Sequence, residues 1–94
     1  MLYIFDEVKE STKKKFFDLS SERWFVVTFG NYNNPGRGTI MYNGSFSDFR
    51  KELDHYKGNV ILEYREYNIE DAGGLVYVYF EQPSGAMEFK LKYA

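Results

Sequence analysis

Nucleophilic catalysis in this chain would have to be assembled around a serine and a base, because cysteine is absent and His55 is the one histidine. A hydroxyl becomes a useful nucleophile only when a neighbouring group takes its proton. His55 precedes Tyr56 on the polar side of a predicted helix, beside Arg50, Lys51 and Asp54, where it is a solvated surface histidine. Ser45 and Ser47 open that helix and are explained as caps, and Ser84 sits in a predicted turn. Only a lysine-assisted serine remains. The acidic pairs Asp6/Glu7, Glu63/Glu66 and Glu70/Asp71 have the oxygen ligands that magnesium takes, but none follows an EF-hand or nuclease spacing. The expectation is a protein that is not an enzyme and takes no metal or cofactor.

The residues suited to binding are more numerous. Tyr77 and Tyr79 alternate with Val76, Val78 and Phe80, which places both phenols on one side of a strand. Arg65 lies on the preceding strand. If Ala86–Tyr93 is a further strand, its hydrophobic pattern places Lys90 and Lys92 beside the two tyrosines. The loop Asn31–Gly38 (NYNNPGRG) adds Tyr32 and Arg37 as a protruding feature, with glycines and asparagines that ease a wide turn. Tyrosine and arginine concentrate in binding hot spots because each buries much area and carries a polar tip. The candidate contact set is therefore Tyr32, Arg37, Arg65, Tyr77, Tyr79, Lys90 and Lys92.

A protein partner is the first expectation, met by occupation of its surface. The alternative is single-stranded nucleic acid, with bases on the tyrosines and phosphates on the basic residues. Gly74–Phe80 (GLVYVYF) partly resembles the aromatic RNP1 strand of RNA-recognition domains, and Leu2-Tyr3-Ile4 the first positions of RNP2. That resemblance fails on order, since RNP1 belongs on the third strand and here falls on the fifth.

Several elements must hold these residues. Leu2–Phe5 is a short strand, and about Ser11 to Leu19 a weak helix whose three successive lysines oppose the helix dipole. Arg23–Gly30 (RWFVVTFG) is β-branched and aromatic throughout, the mark of a central strand, and Thr39–Tyr42 is expected to return beside it as a hairpin arm. Ser45-Phe46-Ser47-Asp48 reads as a capping box. Phe46, Phe49, Leu53 and Tyr56 then form one apolar stripe, and Gly58 provides a left-handed stop. Val60–Tyr67, Leu75–Gln82 and Ala86–Tyr93 complete the set as three strands. The predicted order is β-α-β-β-α-β-β-β, whose first six elements follow the split βαβ order. The expected architecture is α+β, a mostly antiparallel sheet of five to six strands with two helices on one face.

Composition bounds the rest. Ninety-four residues make one domain, residues 1–94. Nine tyrosines, nine phenylalanines and Trp24 provide its core, since an aromatic buries about 150–250 Å². A net charge of −2 lacks the basic excess of a phosphate-coating protein. The absence of cysteine, of a signal peptide and of a long apolar run points to a cytoplasmic protein, monomeric or homodimeric. Abundant Lys, Asn, Tyr and Phe with scarce Ala suggest AT-rich coding. A phage or mobile-element accessory protein, inhibiting a host enzyme or defence complex, is the concrete form of the binding expectation.

Overall fold

A computed structural model describes residues 1–17, 23–30, 39–68 and 73–93. The elements are β1 (Leu2–Ile4), a 3-10 turn (Phe5–Glu7), α1 (Glu10–Phe17), β2 (Trp24–Phe29), β3 (Ile40–Tyr42), α2 (Phe46–Leu53), β4 (Val60–Asn68), β5 (Gly73–Phe80) and α3 (Pro83–Tyr93). The class is α+β. The strands form one five-stranded sheet in the order β1-β4-β5-β2-β3.

Strand direction departs from expectation. β5 pairs antiparallel with both β4 and β2, while β1 runs parallel to β4 and β3 parallel to β2. The sheet is therefore mixed, and central β5 alone runs against the other four. Thr39–Tyr42 is not the return arm of a hairpin: Ile40, Met41 and Tyr42 lie in parallel register with Val27, Thr28 and Phe29. The connection between them, including Tyr32 and Arg37, lies outside the described residues.

The expected last strand, Ala86–Tyr93, is instead the helix α3. Its alternation of Met87, Phe89 and Leu91 with Glu88, Lys90 and Lys92 imitates a half-buried strand. The buried positions follow a helical stripe: Gly85, Ala86 and Phe89 are buried and Tyr93 half-buried, whereas Met87 and Leu91 are 65% and 79% exposed. Pro83 stands in the first turn, where its missing N–H costs nothing, and Lys90 and Lys92 lie in the last, where cations suit the dipole.

Helices occupy both sides of the sheet rather than one. The crossovers from β1 through α1 to β2, and from β3 through α2 to β4, move across the sheet in opposite directions. Right-handed crossovers then place α1 and α2 on opposite faces. Side-chain packing agrees. Val8 and Phe5, just before α1, pack on Ile61 and Tyr79, whereas α2 and α3 cover Val27, Phe29, Val60, Leu62, Val76, Val78 and Phe80.

Local chemistry explains α2 well. The Ser45 hydroxyl accepts the Asp48 amide at 3.1 Å, satisfying one of the orphan donors at the helix start. Phe49, Leu53 and Tyr56 are buried and Phe46 half-buried, and Gly58 turns the chain away at φ 80°. Phe89 of α3 meets Phe25, Phe80, Tyr56 and Tyr93 at ring separations of 5.0, 5.2, 5.8 and 4.9 Å. Glu52 joins the two helices, accepting from the Lys92 ammonium and the Tyr93 hydroxyl.

Candidate functional site

On the side of the sheet away from α2 and α3, strands β2, β5 and β4 bring together Trp24, Tyr77, Tyr79, Glu63 and Arg65. Register accounts for the arrangement. Trp24 lies opposite Tyr79 and Val26 opposite Tyr77, so Trp24 and Tyr77 are diagonal neighbours. Their rings stack 5.6 Å apart at an interplanar angle of 21°. From the other flank, β4 places Glu63 opposite Tyr77 and then bulges: Tyr64 pairs with Val76 and Glu66 with Leu75, which leaves Arg65 as the extra residue. The bulge directs the Arg65 guanidinium onto the Tyr77 ring, 4.4 Å from its centre.

Two polar groups, Glu63 and Tyr79, hold that guanidinium in place. Arg65 Nε donates to Glu63 Oε1 at 3.0 Å, and the Tyr79 hydroxyl donates to the same oxygen at 2.9 Å. The Arg65 side chain is 47% exposed, whereas that of Glu63 is 13% exposed and Tyr79 is 6% exposed. Burial, together with the bond to the Glu63 carboxylate and its charge, pushes the Tyr79 phenol up to about 12. Tyr79 therefore stays protonated and keeps donating. Desolvation of Arg65 lowers its pKa, but hydrogen bonding to Tyr79 and the charge of Glu63 raise it further, so the guanidinium is permanently charged.

Of the residues singled out from sequence, Arg65, Tyr77 and Tyr79 are brought together. Tyr79 lies beneath the surface as a positioning group, and Tyr77 is half-buried. Lys90 and Lys92 sit on α3, which packs on the opposite face of the sheet, so they do not join the tyrosines. Lys92 pairs with Glu52, and that hydrogen bond raises its pKa. Tyr32 and Arg37 lie outside the described residues.

Sequence reasoning missed Trp24 and Glu63. The signals were present: Trp24 shares the period-two face of Val26 and Thr28, and Glu63 stands two residues before Arg65 on one strand face. The RNP-like fragments separate in space, because β4 lies between β1 and β5.

Charge on this face is sparse. Among the described strand positions, Arg65 is its one cation, and Glu63 and Glu66 are its acids. Lys13, from α1, lies over the Phe5 ring and pairs with Glu10. Among the described residues no group of three or more His, Asp or Glu side chains is arranged to hold a metal ion. No helix among them is long and apolar enough to cross a membrane. No family model matches the chain, and neither any curated protein nor any solved structure matches it.

Proposed function

We propose that this chain is a non-enzymatic binding domain that acts by occupying the surface of a protein partner through Trp24, Tyr77 and Arg65. The carrying observation is the stack of indole, phenol and guanidinium, with Arg65 held by Glu63 and Tyr79 before any partner arrives. Side chains already fixed in their bound geometry lose little entropy on association, and Trp, Tyr and Arg are the types in which binding energy concentrates. The phage or mobile-element inhibitor is the concrete version of this reading, supported by composition.

Single-stranded nucleic acid ranks below it. A strand of phosphates needs several cations along a track. With Lys90 and Lys92 on the far side, the described strand positions of this face offer one cation, Arg65, already paired with Glu63.

The test is a tagged pull-down from lysate of the protein's own source, with nuclease treatment, comparing wild type with Tyr77→Ala and Leu91→Ala. A protein retained after nuclease by wild type and Leu91→Ala but lost with Tyr77→Ala supports the reading. Retention of a partner by a folded Tyr77→Ala, or loss of every partner on nuclease treatment, refutes it.

A further inference from the structure

We propose that the partner presents to Arg65 an aspartate or glutamate carboxylate flanked by an aromatic or aliphatic side chain, which covers Trp24 and Tyr77. This deepens the protein-binding reading and rests on it. A guanidinium has five N–H donors in a planar fork. Glu63 takes the one on Nε and Tyr79 is a further partner; among the described residues, no other acceptor bonds the outward edge of the group. Its place over the Tyr77 ring limits how that fork can turn, and the side chain as a whole is 47% exposed. A planar fork of this kind matches a carboxylate through two parallel hydrogen bonds.

Charge limits the ligand to one negative group. With the Glu63 carboxylate already bonded to Arg65, and no second cation among the described strand positions of this face, a second anion would meet repulsion. The neighbouring surface is aromatic: the Trp24–Tyr77 stack begins where the guanidinium ends. The complementary ligand is therefore one acid with an apolar neighbour.

A displayed library of random peptides, selected on the whole protein, tests this without knowledge of the natural partner. The enriched peptides are expected to carry Asp or Glu within a residue or two of an aromatic or aliphatic side chain. A synthetic copy should bind Arg65→Gln about tenfold more weakly or worse. Changing its acid to the amide should cause the same loss on wild type and little further loss on Arg65→Gln, the sign of a direct pair. Lys92→Ala should bind like wild type. Peptides that require Tyr77 but bind Arg65→Gln undiminished, or that tolerate the amide, overturn the carboxylate inference and leave the protein-binding reading standing. Peptides indifferent to both Tyr77 and Arg65, an absence of enriched peptides, or an oligothymidine competing at this face overturn both.

Discussion

Truncating three alternate residues of α3 distinguishes a helix from the strand that its sequence imitates. In a strand, Met87, Phe89 and Leu91 would share one buried face, and each alanine substitution would cost about 2–5 kcal/mol. In the helix, Phe89 is fully buried among the rings of Phe25, Phe49, Tyr56, Phe80 and Tyr93, while Met87 and Leu91 face water. Phe89→Ala removes a ring and leaves a cavity that these neighbours fill only partly, at a cost of about 3–5 kcal/mol. Met87→Ala and Leu91→Ala should stay within about 0.5 kcal/mol of wild type. Urea unfolding followed by circular dichroism reads this as a midpoint shift at constant slope. For a chain of this size, a loss of 3 kcal/mol also lowers Tm by about 12–24 °C. If Phe89→Ala does not fold, Phe89→Leu provides a graded version at about 1–2 kcal/mol. A Leu91→Ala or Met87→Ala loss equal to that of Phe89→Ala would refute the helix and with it the exclusion of Lys90 and Lys92 from the tyrosine face.

Other perturbations bear on the elements around the site. Ser45→Ala removes the cap of α2 and should cost about 1 kcal/mol in the same unfolding assay. Tyr93→Phe deletes the hydroxyl donated to Glu52 and should cost about 0.5–1.5 kcal/mol, whereas Lys92→Ala should change stability little. Gly74→Ala should destabilise the β5 end, since a Cβ there would stand 2.8 Å from the Glu66 carbonyl oxygen and 2.7 Å from the Phe29 ring. Burial first, and nearby carboxylates second, push the Tyr56 and Tyr79 phenols up to about 12 in the folded protein, against about 10 when unfolded. The folded state holds those protons more tightly, so their contribution is complete below pH ~10 and is lost as pH rises through ~12. Phenolate absorbance should therefore lag behind that of free tyrosine and rise cooperatively with alkaline unfolding.

Local signals were legible wherever one element explained its own residues. The Ser45 cap, the Phe46–Tyr56 stripe and the Gly58 stop needed only spacing and backbone preference, and the structure contains all three. The Tyr77/Tyr79 face was legible from alternation in the same way. Strand direction was not, because nothing within Ile40–Tyr42 records whether it returns beside β2 or runs with it. α3 was misread because its surface places Met87 and Leu91 on the solvent side, so apolar residues recur at both period two and period 3.6. Pro83 and the terminal lysines carried the correct answer, but were outweighed by an alternation that no burial supports. Of the site, Arg65 needed the bulge as well as its residue type: an unbroken ladder would place residue 65 opposite Leu75 rather than leave it free to turn onto Tyr77.

The central place of β5 in the sheet has a consequence for how the chain acquires its shape. Leu2 must find Val60, and Trp24 must find Tyr79, so two of the four strand pairings join distant segments, while β2–β3 and the β4–β5 hairpin are closer in sequence. Such topologies fold slowly, because long loops close before their contacts reward them. During synthesis, β2 (WFVVTF) leaves the ribosome well before residues 73–80, which are its antiparallel partner. Until then an aromatic, β-branched segment has an open edge, and it would adhere to similar segments on other chains. A fragment stopped before β5 should accumulate as aggregate, while one carrying the hairpin has the template on which β1 and β2 dock.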